Sequence, residues 1–183
     1  MCKGVLLLSG RTFVETRFGA AGWQKCLAAF DADERVTWGA VVAVRRYPIG
    51  MLTRLLRVAD REHAKGDLAL CVDAGRFAAE FQLTMFHKFI LRFTTPHWLM
   101  DRGVRIYDEN VGSGKWTIER VSDRQLTARL SGFAEPDAVL CRRHVGWIQR
   151  AAEMTGAKEC VVEETRCRTL GHPLCEFKGG WRT

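Results

Sequence analysis

Residues 159–178 read ECVVEETRCRTLGHPLCEFK. Residues 159–168, which include Val161, Val162 and Thr165, form one run, residues 174–178 form a second short run, and Gly-His-Pro at 171–173 separates the two. This pattern predicts two strands joined by a turn. Strands joined by a hairpin are antiparallel neighbours, so the stretch indicates an antiparallel sheet at the end of the chain.

A second hairpin is predicted upstream of the first. Apolar residues alternate roughly over 116–121 and again over 126–130, and Ser122-Asp123 between them is typical of a turn. Between the two hairpins, Pro136 suits the first turn of a helix that Gly156 ends. The order hairpin, helix, hairpin predicts a twisted antiparallel sheet of about four strands.

The preceding part of the chain, residues 1–112, is rich in helix signals. Helices are expected at 11–18, at 20–30 after a break at Gly19, at 48–59 with Pro48 in the first turn, at 68–93 and from Pro96 to about 112. Asp31 and Asp33 are expected to end the second helix, and Val41, Val42 and Val44 predict a short strand.

A helical layer packed on such a sheet makes the fold class α+β. The 183 residues suit a single domain, 1–183, with a helix-rich part at 1–112 and a hairpin-helix-hairpin part at 113–183. No repeat with a period of about 20–50 residues is present, which excludes solenoids and propellers.

Charge and hydropathy exclude further classes. The apolar run Val5–Leu8 is too short for a signal peptide or a membrane span, so we expect a cytoplasmic protein with no membrane contact. Lys+Arg 28 against Asp+Glu 21 gives a net charge of +7. The basic residues are spread along the chain and form no tract, so we expect no nucleic-acid partner.

Three cysteines in the last quarter of the chain form a candidate metal site. A hairpin loop with an odd number of residues places Cys167 directly opposite Cys175, with Cβ atoms about 5 Å apart. Tetrahedral zinc holds its sulfur ligands about 4 Å apart, so two such thiolates can share one ion. Cys141, in the first turn of the preceding helix, is the candidate third ligand. The fourth would be a carboxylate or His172.

The same cysteines have a simpler interpretation. Free cysteine is usually a small, buried core residue, and the two-residue knuckles of many zinc sites are absent. A disulfide between Cys167 and Cys175 is sterically open but disfavoured in a reducing compartment. Zinc ligands and buried thiols are both open interpretations of the sequence.

No catalytic constellation is present in the sequence. The chain contains no nucleophile elbow, no HExxH metal motif and no phosphate-binding loop, and its histidines form no ligand pattern. His144 is expected on the apolar face of its helix as a hydrogen-bonded core residue. We therefore expect that the protein is not an enzyme.

The predicted interior is unusually aromatic. Aromatic faces are more often plain core than pocket, but they also suit a cavity for a small apolar ligand. The candidate ligand-binding residues, all expected on inward faces, are Phe77, Phe81, Phe89, Trp98, Trp116 and Trp147.

Several segments resemble a known family. The C-terminal segments Leu140-Cys141, Gly146-Trp147, Val162 to Cys167 and Gly171 to Phe177 resemble the closing signature of the 4-vinyl-reductase-like domain, a cysteine before a helix followed by a hairpin with two more cysteines. Segments nearer the start resemble an uncharacterised family, abundant in myxobacteria and related to that domain: Phe13-Val14, Arg17-Phe18-Gly19, Trp23, Tyr47-Pro48, Gly66-Asp67, Gly75-Arg76-Phe77 with Glu80, and Pro96 with Leu99.

The resemblance implies a fold shared by haem and nitric-oxide sensor domains, the small subunits of the TRAPP vesicle-tethering complex, and sensor domains of phenol- and toluene-responsive activators. It implies dimers formed through helices and an apolar ligand between helices and sheet. In the aromatic-sensing relatives, the cysteines corresponding to Cys141, Cys167 and Cys175 belong to a structural zinc site. The haem-binding branch carries a Tyr-x-Ser-x-Arg motif that this sequence lacks, so the resemblance predicts no haem.

These observations together predict a non-enzymatic sensor or regulatory module. We expect it to bind a small apolar ligand in an internal cavity and to act as a homodimer on another protein, which the sequence does not identify. The alternative is a ligand-free dimeric adaptor or scaffold whose basic surface contacts an acidic partner. Structural zinc is the cofactor expected in either case.

Overall fold

The structure is a computed structural model that describes residues 1–83, 91 and 93–182. Its helices are α1 (Gly4–Leu27), α2 (Ala32–Gly39), α3 (Gly50–His63), α4 (Ala69–Leu83), α5 (Pro96–Asn110) and α6 (Ala138–Met154). Its strands are β1 (Cys2–Lys3), β2 (Arg46–Tyr47), β3 (Lys115–Ser122), β4 (Gln125–Ser131), β5 (Lys158–Arg166) and β6 (Cys175–Arg182), with a 3-10 turn, Arg168–Leu170, between β5 and β6.

Strands β3 to β6 form one antiparallel sheet in the order β3–β4–β6–β5. In the hairpin predicted at 116–130, which precedes the other in the chain, Ile118 of β3 lies opposite Ala128 of β4. In the second, Glu163 of β5 lies opposite Lys178 of β6, and β6 also pairs with β4. The prediction of an α+β fold with a four-stranded antiparallel sheet is confirmed.

Several helix boundaries follow local signals in the sequence. Gly19, at φ 69°, interrupts α1 where the break was predicted, because residues with a side chain rarely adopt this left-handed conformation. The Thr95 hydroxyl accepts a hydrogen bond from the Trp98 N–H at the start of α5, and the Asp137 carboxylate accepts one from the Val139 N–H at the start of α6. Such caps satisfy N–H groups that have no partner within the helix.

The prediction for residues 31–33 missed a helix. Asp31 was expected to end a helical unit, but it begins α2. Its carboxylate accepts a hydrogen bond from the Glu34 N–H, and the Glu34 carboxylate accepts one from the Asp31 N–H. This reciprocal pair is a capping box, which the sequence pattern D-x-x-E allows.

The strand predicted at Val41, Val42 and Val44 was wrong. These residues form a loop in which Val42 and Val44 are exposed, and the short strand follows it at Arg46–Tyr47. The strand partner, β1, is only two residues long and pairs with β2. A β-branched run forms a strand only where a neighbouring strand and a buried face are available.

The long helix predicted at 68–93 is described only in part. Its first section is α4, which ends in the described chain at Leu83. Residues 84–90 and 92 lie outside the described residues, so the prediction for them stays a prediction.

A buried carboxylate holds the start of α4. Asp60, in the last turn of α3, is 0% exposed, and its two oxygens accept hydrogen bonds from the N–H groups of Leu68 and Leu70. Leu68 has a left-handed backbone, φ 64°, which costs free energy for a residue with a side chain. The two hydrogen bonds offset this cost and orient the α3–α4 connection.

Helix α6 lies at the centre of the fold. It packs against α4 on one side and against β5 and β6 on another, and α5 also contacts it. Its buried face includes Leu140, Cys141, Arg143, Val145 and Ile148. None of the helices in the described part of the chain combines the length and the apolar character that crossing a bilayer needs.

Candidate ligand cavity and metal centre

A cavity of about 80 Å³, here called the core cavity, lies between α5, α6 and the sheet. Helix α5 contributes Gly103 and Tyr107 to its wall, α6 contributes His144 and Trp147, and β3 contributes Trp116. The other lining residues are mostly apolar, among them Leu6, Ile49, Met100, Ile106, Ile118, Phe133, Leu140 and Ile148.

Trp147 forms the wall between α5 and α6. Its indole Nε1–H donates a hydrogen bond to the Gln82 side chain over 3.0 Å. A Cβ on Gly103 would lie 2.8 Å from the Trp147 ring, so the glycine lets the ring lie directly against α5. This contact positions the indole at the cavity.

His144 lies among three aromatic rings at the cavity wall. Its ring centroid is 5.1 Å from Trp116, 6.1 Å from Phe177 and 6.2 Å from Tyr107, each in an edge-to-face arrangement. Burial and the positive charge of Arg143 lower the pKa of His144 to about 3, so the imidazole is neutral at pH 7. Its Nδ1 is buried and has no hydrogen-bond partner among the residues described, which corrects the expectation of a hydrogen-bonded core histidine.

Arg143 brings a cation to the same cavity. The residue is 5% exposed, and its Nη2 has no hydrogen-bond partner within the described chain. Burial lowers the pKa of Arg143 to about 10, so the guanidinium stays charged at pH 7. The core cavity therefore combines apolar walls with two polar groups whose hydrogen-bonding capacity is unused.

The structure separates the predicted ligand residues into groups. Trp116 and Trp147 line the core cavity. Phe77 and Phe81 stack on each other with centroids 6.2 Å apart, and they lie outside the cavity lining. Phe77 also contacts Phe13 of α1, with ring centroids 5.7 Å apart, so it belongs to the packing between helices.

The other two predicted ligand residues do not contribute to the described cavity. Trp98 is 52% exposed, so its expected inward orientation is wrong. It lies in the first turn of α5, where the next two residues, Leu99 and Met100, take the buried side. Phe89 lies outside the described residues.

A second site, here called the thiol cluster, consists of Cys141, Glu164, Cys167 and Cys175. The Sγ atom of Cys141 lies 3.6 Å from that of Cys167 and 3.6 Å from that of Cys175. One potential ligand atom from each of the four residues lies within 4.8 Å of the others. These separations suit a tetrahedral zinc ion, whose Zn–S bonds of about 2.3 Å hold sulfurs about 4 Å apart.

The polar surroundings of the cluster also suit a cation. The three cysteines are buried, and Oε1 of Glu164 is buried without a hydrogen-bond partner in the described part of the chain. The hydrogen bond with Cys175, then burial and Glu164, raises the pKa of Cys141, while the same bond lowers that of Cys175 to about 6. The Arg168 N–H also donates to the Cys175 sulfur over 3.4 Å. A thiolate is the form of cysteine that binds metal.

Sequence reasoning identified the three cysteines but missed Glu164. Glu164 and Cys167 are three residues apart, so regular pleating places their side chains on opposite faces of a strand. In β5 the register shifts between Glu164 and Arg166, and one extra residue brings later side chains to the other face. No signal in the residue types reveals this bulge. The other fourth ligand considered, His172, is exposed.

Comparison with solved structures identifies the fold as that of H-NOX proteins. An H-NOX protein from S. oneidensis in the Fe(II)NO ligation state matches with a TM-score of 0.75 and 16% identity, over 99% of this chain and 99% of that one. An unliganded Fe(II) H-NOX protein from K. algicida matches with a TM-score of 0.71 and 14% identity, over 99% and 97%. The H-NOX domain SO2144 from Shewanella oneidensis in the Fe(II)CO state matches with a TM-score of 0.75 and 16% identity, over 99% and 99%.

At these identities the likeness shows the fold alone. No family model and no curated protein matches the chain. The resemblance to the 4-vinyl-reductase-like domain, to its myxobacterial relatives and to the TRAPP small subunits was therefore wrong, since the similar structures are H-NOX proteins. Some residues that carried the resemblance are glycines required by the backbone. Gly171 turns the chain at φ 87°, and Gly146 lies where two helices approach closely. Such positions do not identify a family.

The expectation of no haem was also wrong, because the structures that share this fold are described with Fe(II), and in two cases with NO or CO as its ligand. Among the described residues that line the core cavity, His144 and Tyr107 are of types that ligate haem iron. The volume does not suit a porphyrin: about 80 Å³ is far below the roughly 300–1,000 Å³ of pockets for large cofactors and drug-sized ligands. A haem group does not fit the cavity in the conformation described.

Proposed function

We propose that this chain is a sensor module that binds a small ligand in the core cavity. The observation that carries the proposal is that Arg143 and His144 line the apolar cavity and each has a buried polar atom, Nη2 and Nδ1, without a hydrogen-bond partner in the described chain. A buried polar group without a partner lowers stability, and a bound ligand would supply the missing bonds. The H-NOX proteins of the same fold that are described with NO or CO support a ligand of small size.

The cavity volume limits the ligand. A cavity of about 150 Å³ holds a benzene molecule. The core cavity has about 80 Å³, roughly half of that volume, so it suits a ligand of about three to four non-hydrogen atoms.

Helix α5 is the element through which we propose that binding is signalled. Gly103 and Tyr107 face the cavity, while Trp98 at the start of the same helix is 52% exposed. A ligand that moves the inner side of α5 also moves this exposed indole. We propose that a second protein, or a second copy of the chain, contacts α5 there. The exposed indole would serve equally in a ligand-free adaptor, which is the second candidate function.

We further propose that the thiol cluster holds a structural zinc ion. The 3.6 Å sulfur separations and the unpartnered Glu164 oxygen support it. Four protein ligands leave no open position for a substrate, which is typical of structural zinc. The ion would tie the first turn of α6 to the β5–β6 hairpin.

Tryptophan fluorescence tests the sensor proposal, because Trp116 and Trp147 line the cavity. We expect a panel of small molecules to include at least one that changes the emission and raises the melting temperature. Val104→Phe, which fills the cavity, should abolish both effects. Val121→Phe, the same change at an exposed position of β3, should leave them intact.

Haem is a separate arm of this test. Absorbance in the Soret region is recorded on the purified protein and after addition of haemin, and again on His144→Leu. A Soret band that depends on His144 would show that the cavity opens to admit a porphyrin. If no small molecule and no haem binds, the ligand-free adaptor replaces the sensor proposal.

A further inference from the structure

We propose that the core cavity takes a ligand with an apolar body and an anionic head, of the class of short-chain carboxylates, with the head against the Arg143 guanidinium. The inference rests on the proposed function of the cavity as the ligand site, and it adds the chemical class of the ligand.

The first step is the missing counter-ion of Arg143. The groups whose charges act on Arg143 are Cys2 and Cys71, and burial raises the pKa of these thiols to about 11 and about 12, so both are neutral at pH 7. A buried cation that lacks a paired anion costs several kcal/mol, which is why such cations are normally paired.

The buried carboxylates of the described chain lie elsewhere, and Glu164, whose Oε1 is buried without a hydrogen-bond partner, belongs to the thiol cluster. Asp60 accepts from two backbone N–H groups at the start of α4. Glu176 accepts from Arg129 over 2.7 Å and from the Thr165 hydroxyl over 2.9 Å. The residues outside the description, 84–90, 92 and 183, include no Asp or Glu. The anion that pairs with Arg143 is therefore best supplied by a ligand.

The second step is the match between the polar atoms and a carboxylate. A guanidinium offers a planar set of N–H donors that pairs well with a carboxylate. The neutral imidazole of His144 can carry its proton on either nitrogen, so Nδ1–H can donate to the second carboxylate oxygen. Arg143 and His144 are consecutive residues of α6, and both line the cavity.

The third step is the body of the ligand. Around these two groups the wall is formed by Trp116, Trp147, Leu140 and Ile148, which suit an alkyl chain rather than a second polar group. Formate and acetate, with three and four non-hydrogen atoms, lie within the limit of about three to four that the cavity volume sets.

Matched ligand pairs test the inference. Acetate is compared with acetamide, and formate with formamide, by calorimetry and tryptophan fluorescence. The amides have nearly the same shape and no charge. We expect the wild-type protein to bind each carboxylate about tenfold or more tightly than its amide, since a charge-assisted pair replaces a neutral one.

Two variants assign the preference to Arg143. Arg143→Met should bring the carboxylate affinity to that of the amide, and it should raise the melting temperature of the ligand-free protein because it removes an unpaired buried cation. Arg142→Met, the matched change at the exposed neighbour, should alter neither. If Arg143→Met does not fold, the ligand pairs on the wild-type protein decide alone.

The outcomes separate this inference from the proposed function. Equal binding of carboxylates and amides, or an unchanged preference in a folded Arg143→Met variant, would overturn the anionic head but leave the cavity as a ligand site. Binding of neutral apolar molecules or of haem, without any binding of carboxylates, would also overturn the anionic head and leave the cavity as a ligand site. Failure of every probe would overturn both.

Discussion

Gly75 of α4 and Gly146 of α6 face each other's helices at the point where the two cross. A Cβ on Gly75 would lie 1.9 Å from the carbonyl oxygen of Arg143, and a Cβ on Gly146 would lie 1.9 Å from that of Val72. Both glycines thus allow backbone to touch backbone. Because Arg143 and the neighbouring His144 lie on α6, this close crossing also sets how deeply the polar groups enter the core cavity.

Replacement of either glycine at the crossing should be strongly destabilising. A Cβ that meets a carbonyl at 1.9 Å forces the helices apart, so we expect Gly75→Ala or Gly146→Ala to lower the free energy of unfolding by about 3 kcal/mol or more. Urea denaturation measures the change. Gly39→Ala is the control, since nothing lies within 4 Å of its added Cβ. Equal stabilities of all three variants would contradict the close crossing.

Asp60 should be essential for the α3–α4 connection. Asp60→Ala removes both acceptors and leaves the N–H groups of Leu68 and Leu70 without partners, at a cost of about 2–4 kcal/mol in unfolding free energy. Asp60→Asn, which keeps one acceptor oxygen, should cost less. Asp67→Ala is the matched control: Asp67 accepts from the Ala69 N–H in the same loop but is exposed. Hydrogen exchange of the Leu70 amide gives a local readout, and slow exchange in Asp60→Ala would argue against the assigned role.

Zinc content tests the thiol cluster. We expect about one zinc per chain in protein purified without chelator, and loss of the metal with a drop in melting temperature in Cys167→Ser and Cys175→Ser. Glu164→Gln should weaken zinc binding. Cys160→Ser and Glu163→Gln are controls on the same strand, since Cys160 lies outside the cluster and Glu163 is exposed. Less than about 0.1 zinc per chain, with a normally melting Cys167→Ser variant, would identify the thiols as ordinary buried residues.

His144 should make the fold sensitive to acid. Its pKa is about 3 in the folded protein against an ordinary histidine value of 6.5, so the unfolded chain takes up the proton first as the pH falls. The stability that depends on neutral His144 is fully present above about pH 6.5 and is lost between that pH and about pH 3. The folding equilibrium should lose up to roughly tenfold per pH unit in this window.

His144→Phe isolates this contribution, because its stability should depend less on pH between 6.5 and 3 than that of the wild-type protein. His172→Phe, at an exposed position, is the control and should follow the wild-type curve. Any acid release of zinc affects all three proteins alike, so the differences between the curves report on His144. Parallel curves for wild type and His144→Phe would contradict a buried, neutral imidazole.

Local signals were sufficient for most of the fold. The two hairpins, the break at Gly19 and the starts of α5 and α6 follow from alternation, from the conformational freedom of glycine, and from Thr95 and Asp137 as caps. These features depend on residues within a few positions of each other. A sequence displays such relationships directly, so the fold class and the pairing of β5 with β6 were predictable.

The candidate sites depend on contacts between distant residues. The three cysteines were predictable as a group because a hairpin places Cys167 near Cys175, but Glu164 joins them only through the shift of register in β5. Trp98 and Trp147 are both aromatic residues of helices, yet one is exposed and the other lines the core cavity. Which side of a helix is covered depends on the neighbours that tertiary packing supplies.

The sequence by itself determined an antiparallel sheet with a helical layer, three clustered cysteines and an aromatic interior, since these follow from periodicity and short-range geometry. Only the tertiary structure decided that Arg143 and His144 meet an apolar cavity without partners in the described chain. The reason is the crossing of α4 and α6 at Gly75 and Gly146, which fixes the depth and rotation of α6. These two glycines are 71 positions apart, so no local pattern encodes their contact.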